Sequence, residues 1–176
     1  MRKLCLLFLL IGTYCYAGER KYTVDSPDGK IQLAIIQTDA GELTYQLSVK
    51  RKQVIDASAL GFKTEDGLTF PFRGWKMGKV TRNKVNSVWK PLWGKRAVVP
   101  DKYNEMKLSF VNEAKSSDAL EVVARAYNEG VAFRYVSPQD AGSAWELTTF
   151  NFAGDYTAWF YNGERHNIGP ERLTET

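Results

Sequence analysis

Apolar and polar side chains alternate along almost the whole chain after Gly18. Because successive side chains of a β-strand point to opposite faces, this period of two is typical of strands with one buried face. The clearest segments are also rich in Val, Ile, Tyr and Phe, which strands favour. They span residues 30–38, 44–51, 106–113, 119–127 and 131–137. No stretch shows a convincing helical period, so the pattern predicts an all-β protein.

Short polar clusters that favour turns separate these segments. They occupy residues 26–29, 39–41, 65–67, 116–118 and 128–130. Strands spaced about ten residues apart and joined by such turns predict an antiparallel sandwich rather than βαβ units. The segment 61–99 is less regular and carries three tryptophans. We interpret it as a long excursion between sheet strands, with room for a strand pair of its own.

The first residues have the features of an export signal. A basic start at Arg2 and Lys3 precedes an apolar stretch and then the small residue Ala17. This order predicts a signal peptide at residues 1–17 and a single exported domain at residues 18–176. The apolar stretch is shorter than the roughly 20 residues of a spanning helix, so we expect no membrane segment after cleavage.

Both cysteines, Cys5 and Cys15, lie inside this leader. The exported domain therefore depends on its apolar core rather than on disulfides, which suits a bacterial periplasm or cell surface. Removing Arg2 and Lys3 lowers the formal charge from +4 by two units. The remaining cations are interleaved with acids, and no basic run alternates with aromatics as a nucleic-acid groove requires. We expect a secreted or periplasmic protein that does not bind nucleic acid.

Two arginines flank a short turn in the segment 125–135, which reads RAYNEGVAFRY. The turn at 128–130 predicts a three-residue hairpin connection, closed by a positive φ at Gly130. The register of the hairpin decides whether Arg125 and Arg134 share a face. One interpretation is that they clamp another segment or domain through bidentate contacts. The other is salt bridging on the surface or between sheets, with candidate partners Glu129, Glu105 and Glu146.

Four strings carry a resemblance to a known family when taken in order. They are SPDGKIQLAI at residues 26–35, ASALGF at 57–62, WKPLWGKRAVVPDKYNEM at 89–106 and RAYNEGVAFRY at 125–135. Together they resemble the amino-terminal domain of glycoside hydrolase family 97, over residues 22–176. The pattern W-x-P-x-W-G followed by Y-N-E, with the later hairpin, is specific only in combination.

The resemblance implies a β-supersandwich similar to galactose mutarotase-like domains. In the family this domain precedes a (β/α)8 catalytic barrel and a small carboxy-terminal β domain. Family members look like secreted or periplasmic α-glucosidases and α-galactosidases of Bacteroides-type bacteria, which implies an α-linked oligosaccharide as substrate of the complete enzyme. A barrel needs about 250 further residues. We therefore expect a chain truncated before its barrel partner and inactive alone.

The resemblance also implies that this domain lends a glutamate near its end to a calcium ion held mainly by the barrel. Glu164 and Glu171, in the tail 160–176, are the candidates by position. Because calcium takes several oxygen ligands, the domain alone should bind it weakly. His166 is the only histidine. It is interpreted as a surface residue or a contact to a sugar hydroxyl, and without cysteine or a second histidine a zinc site is excluded.

Two glutamates and two tryptophans are candidates for catalysis or sugar binding, but we interpret all four as structural residues. Glycoside hydrolysis needs two carboxyl groups, and Glu105 and Glu129 are tempting. Acids in turns and at strand edges are ordinarily solvated or paired with arginine, so both are expected to be structural. Trp89 and Trp93 are expected to pack in the core or at an interface rather than stack on a sugar.

Two further functions compete with the accessory domain of a glycosidase. One is a free-standing carbohydrate-binding or adhesive β-sandwich. The other is a mutarotase-like enzyme, which a single histidine disfavours because such enzymes use histidine as acid or base. A fragment should expose a sizeable apolar face and tend to aggregate, whereas a free module should be soluble and bind an oligosaccharide on its own.

Overall fold

The computed structural model describes residues 19–65, 67, 69–71, 75–113, 119–137, 142–161 and 167–173, without the side chains of residues 160–170. The strands in these ranges are β1 Arg20–Asp25, β2 Ile31–Gln37, β3 Leu43–Val49, β4 Lys52–Leu60, β5 Phe62–Thr64, β6 Thr69–Phe70, β7 Trp75–Trp89, β8 Val99–Asn112, β9 Ala119–Tyr127, β10 Val131–Val136, β11 Ala144–Glu146, β12 Thr157–Tyr161 and β13 Asn167–Arg172. In the same ranges, no helix has the length and apolar character needed to cross a membrane.

Two four-stranded antiparallel sheets form the body of the domain. The first has the order β1-β2-β3-β4 and the second the order β10-β9-β8-β7. Strands β1 and β2 lie against β8 and β9, so the sheets face each other as a sandwich. Two smaller sheets, β11-β5-β6 and β12-β13, follow. The predicted all-β antiparallel sandwich is confirmed.

The alternating apolar side chains fill the space between the two sheets. The first sheet contributes Leu33, Ile35, Leu43 and Tyr45, and the second contributes Met106, Leu108, Phe110, Val122 and Ala124, all almost fully buried. Phe70 closes one end of this core, with its ring centroid 5.1 Å from that of Trp75 and 5.2 Å from that of Phe110. Full burial of each leucine, isoleucine, valine, methionine or phenylalanine side chain in this core stabilises the fold by about 1.5–3 kcal/mol relative to exposure.

Gly61 allows the chain to pass from β4 into β5 beside Phe70. A Cβ at this position would stand only 2.4 Å from the carbonyl oxygen of Phe70. No larger residue fits without moving the backbone. The glycine of the string ASALGF therefore has a packing role.

Residues 147–153 close the outer edge of the first sheet. The backbone amides of Leu147, Thr149 and Ala153 donate to the carbonyl oxygens of Gly61, Ala59 and Val54, at 2.8, 3.1 and 3.0 Å. The hydroxyl of Tyr45 donates to the carbonyl oxygen of Thr149 at 2.8 Å. This segment pairs with an edge strand that would otherwise present unpaired backbone groups.

One predicted strand boundary and one predicted turn angle are wrong. The segment 44–51 is not one strand, because Lys50 and Arg51 form a two-residue turn between β3 and β4 with φ angles of 50° and 67°. Sequence signals of such a turn are Asn and Gly, which are absent here. The three-residue connection 128–130 is confirmed, since the amide of Tyr127 donates to the carbonyl oxygen of Gly130 at 2.8 Å. Gly130 itself does not adopt the predicted positive φ.

Strand β7 is the largest element that sequence patterning missed. The segment 61–99 contains the expected strand pair, β5 with β6, but it also contains the whole of β7. This strand has 15 residues and pairs with β8 along its length. Beyond Met77 its side chains are exposed or only half-buried, so alternation of apolar and polar residues gives no signal.

Candidate functional site

Three of the four family-like strings meet at one corner of the sandwich. The turn after β1 and the turn after β9 are joined there, because the amide of Asp28 donates to Oδ1 of Asn128 at 3.0 Å. Close by, Nδ2 of Asn104 donates to the carbonyl oxygen of Asp25 at 2.7 Å. The asparagines of the two Y-N-E sequences thus fasten the second sheet to the first.

An ion pair and two tyrosines complete this corner on the outer face of the second sheet. Nε of Arg125 donates to Oε2 of Glu105 at 2.8 Å, and the guanidinium carbon lies 4.3 Å from the ring centroid of Tyr103. The ring of Tyr103 lies 5.0 Å from that of Tyr127. The hydrogen bond to Glu105 raises the pKa of Arg125. Burial raises the pKa of the Tyr103 hydroxyl.

Glu105 is therefore the partner of Arg125, as the salt-bridge interpretation predicted. Its side chain is 8% exposed and the register places it directly opposite Arg125. The carboxylate of Glu105 is engaged by the guanidinium of Arg125 through a charge-assisted hydrogen bond. Glu129 is exposed in the turn after β9. Both acids have the structural placement expected for them.

The register of β9 and β10 settles whether the two arginines share a face. Arg125 pairs with Ala132, and Arg134 pairs with Val123. Side chains at alternate positions point the same way, so Arg125 and Arg134 both lie on the outer face of the sheet. Arg134 is exposed and, among the described residues, has no ion-pair partner. A clamp on another segment stays a prediction for Arg134.

The carboxy-terminal hairpin carries the predicted metal ligands. Glu171 is half-buried in β13 and pairs across the hairpin with Ala158. In the same hairpin, Nε of Arg172 donates to Oδ2 of Asp155 at 2.6 Å. Glu164 lies outside the described residues, as does His166. In the part of the chain that the structure describes, no group of three or more His, Cys, Asp or Glu residues comes together as a metal site.

A calcium ion does not fit on the described residues alone. Calcium takes six to eight oxygen ligands, whereas no group of three or more candidate ligand residues comes together in these ranges. The assignment of Glu164 and Glu171 as ligands stays a prediction. It requires oxygen ligands from another part of a complete enzyme.

Two exposed apolar surfaces are the most unusual features of the described structure. We define the arm as residues 86–102, the distal part of the β7–β8 hairpin with its loop. Its exposed apolar residues are Val88, Trp89, Leu92, Trp93 and Val98, between 45% and 100% exposed. We define the C-terminal strip as Trp145, Leu147, Phe150, Phe152 and Trp159, between 45% and 70% exposed. Apolar surfaces of this kind mark binding to another body.

The exposure of the arm corrects one expectation and leaves another open. Trp89 and Trp93 do not pack in the core, because 54% and 88% of their surfaces are exposed. Packing at an interface stays a prediction. The contribution of Leu92, Val88 and Val98 was missed, although the sequence signal was present in a run of apolar residues around Pro91 without alternation.

Comparison with known protein families assigns this fold. The family model described as "Glycosyl-hydrolase 97 N-terminal" matches residues 24–176. The chain belongs to glycoside hydrolase family 97. The match covers most of the chain and confirms the family resemblance of the four strings.

The curated relatives that this chain matches are much longer than the chain itself. A retaining alpha-galactosidase from Bacteroides thetaiotaomicron is 22% identical over 99% of this chain and 28% of its own length. A probable retaining alpha-galactosidase from Streptomyces bingchenggensis is 29% identical over 91% of this chain and 26% of its own length. The chain spans about a quarter of the length of these relatives.

Solved structures share the sandwich of this family 97 domain. A family 97 enzyme from Pseudoalteromonas sp. strain K8, in complex with panose, has a TM-score of 0.69 and 34% identity. The comparison covers 80% of this chain and 22% of that one. A beta-arabinopyranosidase has a TM-score of 0.65 and 26% identity, covering 78% of this chain and 22% of that one.

Proposed function

We propose that this family 97 domain braces and completes the active site of an α-glycosidase whose bond-breaking residues lie in a separate catalytic barrel. The observation that carries the proposal is the match to a family 97 enzyme in complex with panose, of which this chain covers only 22%. The placement of two acids in this domain supports catalysis by residues of the barrel. Glu105 is neutralised by Arg125, and Glu129 is a solvated turn residue.

The proposed substrate of the complete enzyme is an α-linked oligosaccharide. The relatives differ in what they act on or bind: one is a retaining alpha-galactosidase, one is a probable retaining alpha-galactosidase, and one is seen in complexes with panose and with acarbose. The polar groups of Arg125 and Glu105 on the outer face of the second sheet are paired with each other. We therefore assign the choice between sugars to the barrel. The proposed calcium ion is shared, with Glu171 or Glu164 as the ligand from this domain.

The first experiment separates an accessory domain from a free-standing module. Protein beginning at residue 18 is assayed alone with nitrophenyl α-galactoside and α-glucoside, and as a chimera replacing the matched part of the Pseudoalteromonas enzyme. We expect hydrolysis by the chimera and none by the free domain. Hydrolysis by the free domain would refute the proposal. Saturable binding of maltooligosaccharides or melibiose to the free domain would instead support a carbohydrate-binding module.

The second experiment tests the calcium ligand. In the chimera, Glu171→Gln and Glu164→Gln are compared for the calcium concentration that restores half of the activity after chelation. The true ligand should raise that concentration at least about tenfold, because one hard oxygen charge is lost from the site. Glu113→Gln is the control, since Glu113 is an exposed residue paired with Lys76. Unchanged calcium dependence in both variants would remove this domain from the metal site.

The third experiment tests export. The leader at residues 1–17 supports secretion to the periplasm or beyond. Mass spectrometry of protein recovered from the periplasm of a Gram-negative host should find Gly18 as the amino-terminal residue. Recovery of the intact leader in the cytoplasm would contradict this proposal.

A further inference from the structure

The arm is a two-stranded ribbon that extends past the body of the sandwich. Strand β8 pairs with β9 only from Val111 to Tyr103, whereas its pairing with β7 continues to Val99. The four outermost pairs of the hairpin therefore have no third strand. At about 3.3 Å per residue, they extend some 13 Å beyond the sheet before the loop begins. A two-stranded ribbon is marginally stable in water unless its face packs against another body.

The tip of the arm presents large apolar side chains to solvent. Leu92 is 100% exposed and Trp93 is 88% exposed, while Trp89 and Val88 are 54% and 64% exposed. Gly94 has a φ of 131°, a conformation that favours glycine, and no heavy atom stands within 4 Å of where its Cβ would be. Residues 92–98 are all exposed, so this part of the loop is not buried against the described part of the domain.

The charges of the arm are mostly positive. Its cations are Lys90, Lys95, Arg96 and Lys102, against one carboxylate at Asp101. An aromatic centre within a basic rim is complementary to an apolar hollow with acidic residues around it. The C-terminal strip carries no comparable run of lysine and arginine.

We propose that the arm docks this domain onto the catalytic part of the enzyme by seating Trp89, Leu92 and Trp93 in an acidic-rimmed hollow. This inference rests on the proposed function and names the surface through which it operates. The catalytic part is the occupant because about three quarters of each relative lies outside the matched region. A second copy of the domain and an anionic membrane are the other bodies that this chemistry fits, and the experiment distinguishes them.

Cysteine labelling at the tip gives a direct test. The protein from residue 18 onward contains no cysteine, so Leu92→Cys creates a single thiol at a fully exposed position. Ala40→Cys, at an exposed turn between β2 and β3, is the matched control. Maleimide labelling rates are measured in the free domain and in the chimera with the catalytic part of the Pseudoalteromonas enzyme.

We expect the thiol from Leu92→Cys to react at least about tenfold more slowly in the chimera than in the free domain, because docking must open before labelling. The thiol from Ala40→Cys should react equally in both. An active chimera that labels at both positions at free-domain rates would overturn the docking arm while leaving the proposed function intact. An inactive but folded chimera would count against the proposed function itself.

The competing occupants give different results in the free domain. Protection of the Leu92→Cys thiol by vesicles of phosphatidylglycerol but not phosphatidylcholine, without protection in the chimera, would overturn the proposal in favour of a membrane. Protection that grows with protein concentration would assign the surface to a second copy. If the chimera does not fold, the same cysteine is placed in the Pseudoalteromonas enzyme at the position that superposes on Leu92, where rapid labelling would also overturn the proposal.

The charge of the rim supplies an independent readout. Lys95→Glu with Arg96→Glu should speed labelling at Leu92→Cys in the chimera severalfold, because like charges then face each other across the docking surface. Lys50→Glu with Lys52→Glu, near the exposed β3–β4 turn, is the matched control with the same change of net charge. Equal effects of the two pairs would show that only net charge matters and would remove the acidic rim from the proposal.

Discussion

The body of the sandwich and the arm use the same residue types in opposite environments. Leu108 is fully buried between the two sheets, whereas Leu92 is fully exposed at the tip of the arm. Phe110 packs edge-on against the ring of Phe70 in the core, whereas Trp93 is 88% exposed. The body is accounted for by contacts within this chain. Within the described part of the chain, the exposed apolar residues of the arm have no such contacts to account for them, and the proposed docking onto the catalytic part supplies them.

Polar contacts sharpen the same contrast. At the corner of the body, Asn128 and Asn104 accept and donate hydrogen bonds that tie the two sheets together, at 3.0 and 2.7 Å. The arm has one side-chain contact of this kind in its described structure, from Ser87 to the carbonyl oxygen of Asp101 at a long 3.4 Å. The asparagines that tie the two sheets together are therefore distinct from the exposed apolar residues of the arm.

The largest expected effect comes from a matched pair of leucine substitutions. Leu108→Ala removes a fully buried side chain and should lower the free energy of unfolding by about 2–5 kcal/mol through lost burial and a cavity. Leu92→Ala should change it by no more than about 0.5 kcal/mol, since its side chain is already in water. Urea unfolding followed by tyrosine and tryptophan fluorescence measures both. A large loss for Leu92→Ala would mean that the free domain packs its own arm.

The next effect concerns the ion pair on the outer face of the body. Arg125→Met leaves the carboxylate of Glu105 nearly buried and without its partner, and should destabilise the domain by about 1–3 kcal/mol. This loss is smaller than the roughly 3–5 kcal/mol for breaking a fully buried pair, because 34% of the arginine side chain is exposed to water. Thermal and urea unfolding at neutral pH measure the loss.

Adding Glu105→Gln to Arg125→Met separates charge from packing. The double variant should recover part of the stability, because a neutral amide replaces the unpaired carboxylate. No recovery would assign the loss to the guanidinium that covers the ring of Tyr103 at 4.3 Å. The two outcomes show whether Arg125 stabilises the body of the sandwich mainly through its charge or mainly through its packing.

A smaller effect, of opposite sign, tests strain inside the body. Lys50 and Arg51 adopt φ angles of 50° and 67°, in the left-handed region that side chains with a Cβ disfavour. Lys50→Asn with Arg51→Gly should stabilise the domain by about 1 kcal/mol, because Asn-Gly suits a two-residue turn of this type. Gly41→Ala is the control with the reverse expectation, since Gly41 has a φ of 86°. Unchanged urea midpoints for both would argue against backbone strain as the cause.

The same division explains what the sequence could predict. Alternation located β2, β3, β9, β10 and the second half of β8 because their inner faces are buried. It missed β7, whose outer half has no buried face, and it missed the turn at Lys50, whose conformation contradicts residue preference. The family resemblance supplied the sandwich type and the expected metal ligands. It did not predict the exposure of Trp93, because exposure of a partner surface depends on which other polypeptide is present.

The smallest effect tests the corner through its titration. Asp28 is exposed, yet its carboxylate accepts hydrogen bonds from the Ser26 hydroxyl at 2.7 Å and the Lys30 amide at 3.1 Å. The Ser26 hydroxyl, then the Lys30 ammonium at 3.0 Å and the Lys30 amide, lower the pKa of Asp28 from 3.8 to about 2. Because the folded-state pKa is lowered, the stabilisation is complete above pH 3.8 and is lost as the pH falls through about 2. NMR titration should find Asp28 near this value, and Ser26→Ala should raise it toward 3.8. A titration near 3.8 in the unaltered protein would mean that the turn facing Asn128 is not fixed by Asp28, and the body would lose one of the fastenings that set it apart from the arm.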